Sequence, residues 1–138
     1  MGANVWKTAN AWPLPGTRYT DYYLGSTGQA ESNLGDGTLS TSPPRRGEPA
    51  DHYAYNPQNP VPSVGGHSCC DATGGSQGPY DQNAIEERPD VLTYTSAPLK
   101  SVTQLTGPLS VRLYAKSSAP DTDWRGETAP RYRSGRAM

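Results

Sequence analysis

The sequence predicts a loop-rich, all-β domain with the architecture of a jelly roll or β-sandwich. Glycine and proline punctuate the chain so often that a helix longer than about ten residues is not expected over most of its length. Short segments rich in Tyr, Thr and Val alternate with these turn signals at about ten-residue spacing, which is typical of sandwiches and jelly rolls. Leu, Ile, Val and Phe together number only 16 of 138 residues, so the core is expected to be small.

Two strands are expected in the first third of the chain, at residues 18–24 and 37–40. Both segments contain threonine, and the first adds three tyrosines, residue types that favour an extended backbone. The glycines and prolines between them leave room only for short strands.

Residues 48–66 form a connector with four prolines. Each proline removes a backbone donor and pushes the preceding residue toward extended geometry, so an ordered connector is predicted rather than a ladder strand. Tyr53 and Tyr55 lie two residues apart and point the same way if the backbone is extended. We expect both rings to pack inward on residues 91–96, with Asn56 turning the chain at the proline that follows it.

A single helical turn is expected at residues 82–87, after the glycine-rich loop. Residues 91–96 and 101–106 are then predicted as two further short strands, because both are rich in Val, Thr and Leu and are separated by proline.

The strongest strand signal lies in residues 109–117. Leu109, Val111 and Leu113 alternate with polar or amphipathic neighbours, which is the period of a strand with one buried face. We therefore expect these three side chains to be buried, and a Leu113→Ala change to cost about 2–5 kcal/mol of stability.

Composition excludes several classes of function. The 12 basic and 13 acidic residues nearly cancel, so the chain lacks the electrostatic footprint of a nucleic-acid-binding protein. No apolar run approaches the ~20 residues of a membrane span, and no secretory leader precedes the first tryptophan, which favours the cytoplasm. Cys69 and Cys70 are adjacent, and a bridge between neighbours is strained, so no disulfide framework is expected.

A G-x-S-x-G pattern at residues 74–78 places Ser76 where a nucleophile elbow has its serine. A triad of Ser76 with His67 as base and Asp71 or Asp81 as the orienting acid is one interpretation, since triads are defined by geometry rather than chain order. No strand is predicted before the motif, and a proline follows at once. The alternative is a glycine-rich surface loop without catalytic residues.

Two clusters carry the residue types of metal ligands. Residues 66–71 include one histidine, two cysteines and an aspartate, but neighbouring ligands cannot all face one ion, so a buried cysteine pair is the alternative. Asp121 and Asp123 could hold a hard cation if the backbone is extended, or form a turn that bonds its own backbone. We expect neither a metal nor a cofactor.

The aromatic residues allow two interpretations. They could form a sugar-stacking platform, or, with Phe absent and aliphatic residues scarce, they could be the core itself, because each ring can bury about 150–250 Å². The second interpretation is preferred for Trp6, Trp12, Tyr19, Tyr22, Tyr23, Tyr53, Tyr55 and Tyr94.

Three long motifs resemble one known family. The segments DHYAYNPQNPVPSVGG, GPYDQNAIEERPDVLTYTSAPL and VTQLTGPLSVRLYAKSSAPDTDW occur in the order found in the C-terminal jelly roll of the CocE/NonD serine hydrolases. That family includes cocaine esterases, α-amino-acid ester hydrolases and X-Pro dipeptidyl-peptidases. The opening MGANVWKTANAWP is similar to the segment by which those chains enter the domain. Asn56 departs from the pattern, because the family usually has aspartate there.

The resemblance implies a galactose-binding-like, incomplete jelly roll at residues 1–123, followed by a divergent, arginine-rich tail at residues 124–138. The tail keeps the family's spacing but not its residues, as a compensated reading-frame slip would produce. In the family, a serine, a histidine and an aspartate of a preceding α/β-hydrolase domain cleave esters or amides. None of those positions maps onto this chain.

Three functions are therefore considered. The first is a non-catalytic β-sandwich module of such a hydrolase, the second a small esterase using Ser76, and the third a carbohydrate-binding jelly roll. Because the family's remaining strands are not present, an exposed edge or apolar face is expected to drive homo-oligomerisation. A hydrolase domain of the parent type is the alternative partner, and the arginine-rich tail is expected to lie outside the core.

Overall fold

The computed structural model describes residues 5–66 and 77–131. Its regular elements, in chain order, are strand β1 (Tyr23–Gly25), strand β2 (Thr38–Ser40), helix α1 (Asn83–Glu86) and strand β3 (Thr95–Ser96). These strands lie within or beside segments that the sequence predicts as extended. The described part of the chain is thus strand-based with one helical turn, consistent with an all-β domain.

The three strands form one small mixed sheet with β2 in the centre. β1 pairs with β2 in antiparallel orientation, with Leu24 opposite Leu39. β2 pairs with β3 in parallel orientation, with Thr38 opposite Thr95. The parallel pairing requires the long crossover that the connector and α1 supply between these strands.

The centre of the packing is Ala30, the one apolar residue that is fully buried among those described. An isolated antiparallel bridge joins Glu31 to Leu92, and the Thr93 N–H donates to the Ala30 carbonyl at 2.8 Å. Gly37 lies so close that a Cβ there would sit 2.0 Å from the Thr93 carbonyl oxygen and 3.1 Å from the Ala30 Cβ. The core therefore consists of closely packed backbone rather than interlocking large side chains.

Two local predictions are confirmed. The helical turn predicted at residues 82–87 is α1, whose backbone N–H groups at Ile85 and Glu86 donate to the Gln82 carbonyl. Asn56 does turn the chain, because its carbonyl accepts from the Asn59 N–H at 3.0 Å and its side-chain oxygen accepts from the Gln58 N–H at 3.0 Å. Within the described ranges, no helix has the length and apolar character needed to cross a bilayer.

The predictions for the last third of the chain are wrong in two places. Residues 101–106 and 109–117 are not strands, and Leu109, Val111 and Leu113 are 73%, 64% and 49% exposed. Alternation specifies which side chains share a face, but a face is buried only where a second layer covers it. No described layer covers residues 109–117, so Leu113 should not contribute the stability expected of a buried leucine.

The expected aromatic core is also wrong for the described residues. Tyr53 and Tyr55 do not pack inward; both are exposed, and the Tyr53 ring instead meets the Trp124 ring edge-on at 6.1 Å. Polar contacts such as those of Asp51 and Asn59 hold the connector in place, and the rings of Tyr53 and Tyr55 remain at the surface. Tyr23 and Tyr94 are partly buried, whereas the other six members of the predicted set are exposed: Trp6, Trp12, Tyr19, Tyr22, Tyr53 and Tyr55.

We predict that Gly37→Ala destabilises the protein by about 1–3 kcal/mol, because the added methyl group overlaps the Thr93 carbonyl. Gly126→Ala is the matched control, since a Cβ there meets only the Val111 side chain at an ordinary 3.7 Å. Urea denaturation of both variants measures the difference. Equal midpoints for the two variants would show that the close approach to Thr93 is not a constraint.

Candidate functional site

The most connected side chain of the described structure is Asp51, at the start of the connector. Its two carboxylate oxygens accept the Ser26 hydroxyl at 2.7 and 2.8 Å. One oxygen also accepts the Ala30 backbone N–H at 2.9 Å, and the other accepts the Tyr94 hydroxyl at 2.6 Å. A single carboxylate thus joins the connector to the loop after β1, through Ser26 and Ala30, and to the residue that precedes β3.

Among the hydrogen-bond donors to Asp51, Tyr94 is the one with a titratable side chain, and its pKa is raised. Partial burial raises the pKa of its phenol first, and the hydrogen bond to Asp51 and the negative charges of Asp51 and Asp36 raise it further. Each cause disfavours the phenolate, so Tyr94 remains a neutral donor throughout the physiological range.

A second carboxylate, that of Asp36, lies in the loop between β1 and β2, and its charge acts on Tyr94 as that of Asp51 does. The Thr27 hydroxyl donates to one of its oxygens, and the Thr27 backbone N–H donates to the same oxygen at 2.8 Å. The pKa of Asp36 is lowered, mainly by the hydroxyl bond and then by the backbone bond. Asp36 therefore stays ionised and holds the loop between β1 and β2.

An open groove of about 540 Å³ lies next to these residues. Its wall includes the turn in which the Arg45 N–H donates to the Glu48 carboxylate at 2.8 Å. The lining mixes hydroxyls, two carboxylates and two guanidinium groups, so it can exchange hydrogen bonds with a polar solute, but it holds no histidine. The lining residues are Gly25, Ser26, Thr27, Asp36, Thr38, Arg45, Arg46, Gly47, Glu48 and Pro49.

A third polar contact fixes the connector to the segment after α1. Arg88 donates to both oxygens of Asp90 at 2.7 Å and to the Asn59 carbonyl at 2.8 Å. The hydrogen bond from Arg88 lowers the pKa of the Asp90 carboxyl and raises that of the guanidinium. The bidentate pair with Asp90 orients Arg88, and its further hydrogen bond to Asn59 holds the turn of the connector next to the segment after α1. We assign this contact a structural role.

The structure does not test the predicted triad, because most of its candidate residues lie outside the described ranges. Ser76, His67 and Asp71 lie outside the described residues, as do Cys69 and Cys70 of the predicted metal-type cluster. Asp81 precedes α1, where its carboxylate accepts the Asn83 N–H at 3.1 Å, which is a helix-start contact.

The second predicted cation site gains no support from its surroundings. Asp121 and Asp123 are both exposed. Across residues 5–66 and 77–131, no group of three or more histidine, cysteine or acidic side chains is placed to hold a metal ion. Whether a cation binds the pair stays an open prediction.

Sequence reasoning missed the residues that matter most to this region, Asp51 and Tyr94. Their hydrogen bond joins positions 43 apart, and that of Ser26 to Asp51 joins positions 25 apart. No local spacing rule reaches so far. The one available signal was an aspartate at the head of a proline-rich connector, where a carboxylate has few nearby backbone donors.

Comparison with known proteins gives consistent matches. The profile of the family described as X-Pro dipeptidyl-peptidase C-terminal non-catalytic domain matches residues 1–125. The chain is 44% identical over 142 residues to a cocaine esterase of Rhodococcus sp. (strain MB1 Bresler), covering 100% of this chain and 24% of the esterase. It is 29% identical over 121 residues to putative serine esterases of Mycobacterium bovis and Mycobacterium tuberculosis, covering 88% of this chain and 17% of each esterase. The chain thus spans a quarter or less of the length of these relatives.

We predict that stability falls as the pH rises above about 10, the usual pKa of tyrosine. The folded state keeps the Tyr94 proton where the unfolded state loses it, so the folded state binds more protons and alkali favours unfolding. Tyr94→Phe is expected to be less stable than the parent at neutral pH, and this difference in the free energy of unfolding should become smaller above about pH 10. Denaturation at a series of pH values tests this; a constant gap contradicts it, and Tyr114→Phe, with an exposed ring, is the control.

Asp51→Asn is predicted to cost at least about 2 kcal/mol, because it removes charge-assisted acceptors from three donors. Asp123→Asn makes the same chemical change at an exposed position and should stay within about 0.5 kcal/mol of the parent. Thermal denaturation at neutral pH compares the two. If both variants have the same melting temperature, the hydrogen bonds of Asp51 do not stabilise the fold as their geometry indicates.

Proposed function

Because the chain belongs to the family of X-Pro dipeptidyl-peptidase C-terminal non-catalytic domains, we propose that it supports the catalytic domain of a serine hydrolase. The matched part of the Rhodococcus relative is its C-terminal region, and about three quarters of that esterase lie outside the match. An ester- or amide-cleaving α/β-hydrolase domain is the partner that fits this arrangement.

The exposed aromatic residues of the N-terminal segment carry this proposal. Trp6 is 101% exposed, Trp12 66% and Tyr19 72%. Large aromatic side chains gathered in one exposed segment are typical of protein interfaces, where they provide most of the buried area. Because the match covers the C-terminal region of the Rhodococcus relative, the start of the matched region follows the rest of that enzyme in sequence, which supports a hydrolase domain as the occupant of this surface.

The described polar site supports a structural rather than a catalytic role. The Ser26 hydroxyl donates directly to the Asp51 carboxylate, and no imidazole in the described ranges lies within hydrogen-bond distance of it. Activation of a serine needs a base that removes its proton, with an acid orienting that base. Among the described residues, no such base stands between Ser26 and Asp51, and their hydrogen bonds serve to hold two segments together.

The finer architecture belongs to the same proposal. We assign residues 1–123 to a jelly-roll module and residues 124–138 to a tail outside it. The strand-based sheet is compatible with that architecture, and the family match ends at residue 125, close to the proposed boundary. The tail contacts the module through Arg125, which donates to Ser63 at 2.9 Å, and through Arg131, which pairs with Glu86.

Co-expression with the part of the Rhodococcus esterase outside the matched region tests the proposal. We expect the chain alone to hydrolyse no p-nitrophenyl ester above background, whereas co-expression raises the soluble esterase activity of the partner. Replacing Trp6 and Trp12 by alanine should weaken the association at least about tenfold, since buried tryptophans dominate interface energies.

Val102→Ala is the control, because Val102 is equally exposed but lies outside the aromatic segment. Association that survives loss of both tryptophans contradicts the docking surface. Hydrolysis by the pure chain that disappears in Ser76→Ala would overturn the non-catalytic role and establish the esterase alternative.

A further inference from the structure

The open groove of about 540 Å³ next to the loop between β1 and β2 carries charged groups of both signs, and the proposed function makes no use of it. A smaller cavity of about 180 Å³ shares Gly25, Thr38, Arg45 and Glu48 with the groove, so the two spaces adjoin. Which solute fits there depends on which polar atoms of the lining are still free to form hydrogen bonds.

The three hydroxyl groups of the groove have already used their hydrogen atoms. Ser26 and Thr27 donate to carboxylates, and Thr38 donates to the Gly25 carbonyl at 3.0 Å. Carboxylate and carbonyl oxygens can only accept, so the direction of each of these hydrogen bonds is fixed. Toward a solute the hydroxyls therefore offer only lone pairs, and a ligand must bring its own donors.

Two oxygen atoms converge over the α-carbon of Gly25. A Cβ at this position would lie 3.2 Å from Thr38 Oγ1 and 3.4 Å from Glu48 Oε2. The other carboxylate oxygen of Glu48 is occupied, because it accepts the Arg45 N–H at 2.8 Å. Oε2 and the Thr38 hydroxyl thus face one small space that a glycine leaves open. An ammonium group suits this space, since it brings three donors and a positive charge to a carboxylate.

The side-chain donors of the groove are the guanidinium groups of Arg45 and Arg46. Among the described residues, neither of these two side chains has a hydrogen bond or an ion pair, and both residues are exposed. A guanidinium presents its N–H groups in a planar fork that matches a carboxylate. The same groove therefore offers a carboxylate-binding group beside the space for an ammonium group.

The balance of charge in the lining favours a ligand that carries both charges. Two carboxylates, those of Asp36 and Glu48, stand against the two guanidinium groups. A purely cationic or anionic solute leaves one sign without a counter-charge, and a neutral sugar leaves both. The residues that line the larger space also include no aromatic ring on which a sugar ring could stack.

We propose that this groove binds a zwitterion, a small molecule with an ammonium group and a carboxylate, such as an amino acid or a short peptide. The ammonium group lies over Gly25 and donates to Thr38 and Glu48, and the carboxylate meets the guanidinium of Arg45 or Arg46. The site lies apart from the aromatic N-terminal segment. It does not rest on the proposed support of a hydrolase domain.

NMR titration of the isotope-labelled full chain with alanine and with alanyl-alanine tests the site. We expect saturable shifts of the Gly25 and Thr38 amide signals with at least one of them, and the tighter ligand identifies the source as a free amino acid or a peptide. Acetylation of the ammonium group or amidation of the carboxylate should each weaken binding at least about tenfold, because each removes a charge-assisted hydrogen bond. Glucose should bind more weakly than the zwitterion.

Glu48→Gln tests the ammonium contact with little change to the turn, because glutamine keeps an oxygen that can accept the Arg45 N–H. The variant should bind the zwitterion at least about tenfold more weakly, yet bind the acetylated ligand as the parent does. Glu87→Gln makes the same change at another exposed glutamate and should bind like the parent.

Two further variants test the rest of the site. Gly25→Ala fills the space over the α-carbon and should weaken the zwitterion but not glucose. Replacing Arg45 and Arg46 together by glutamine should remove the preference for a free carboxylate over its amide, whereas the preference for a free ammonium group remains.

Three results would overturn the proposal. Absence of saturable shifts with both zwitterions excludes the site, and equal binding of the acetylated and free ligands excludes the ammonium contact. A Glu48→Gln variant that binds the zwitterion as tightly as the parent places the ligand elsewhere. None of these results bears on the association with a hydrolase domain, which is measured through the tryptophans of the N-terminal segment.

Discussion

The described structure depends on one carboxylate that three distant segments share. Asp51 accepts hydrogen bonds from Ser26, from the Ala30 backbone and from Tyr94. A carboxylate taken partly out of water must be compensated by donors, and these donors come from the loop after β1 and from the residue before β3, which lie far apart in sequence. Satisfying one charge therefore fixes the relative positions of the loop after β1, the connector and the segment leading into β3.

Hydrogen bonds that connect distant segments in this way explain how the chain can fold around so small an apolar core. The described chain buries one alanine completely, and the glycines around it let backbone approach backbone where side chains would normally fill the space. The Arg88–Asp90 pair repeats the same solution at the turn of the connector, with a bidentate geometry. Hydrogen bonds have directions, so they position segments more narrowly than the contact of a few aliphatic groups.

The hydrogen bonds of Asp51 have a structural role. The serine and the aspartate that meet in the described structure do so without an imidazole between them, and their contact is used to join segments. The apolar and aromatic side chains, which in a larger core would be inside, are instead displayed on the N-terminal segment and on residues 109–117. A domain with a polar interior and apolar exposed segments is suited to assembly with other chains or domains, where those segments are covered.

The sequence by itself determined the family, the strand-based class and the local turns. The turn at Asn56 and the helical turn at Asn83–Glu86 depend on neighbouring residues, and the side chains of Asn56 and Asp81 that accept backbone N–H groups there are visible in the sequence. Short β-rich segments likewise located the strands at Thr38–Ser40 and Thr95–Ser96. Only the tertiary structure decided that Asp51 joins Ser26 to Tyr94, and that no described segment covers residues 109–117. Both outcomes depend on which distant segment meets which, and neither propensity nor alternation encodes the partner of a donor or of a strand face.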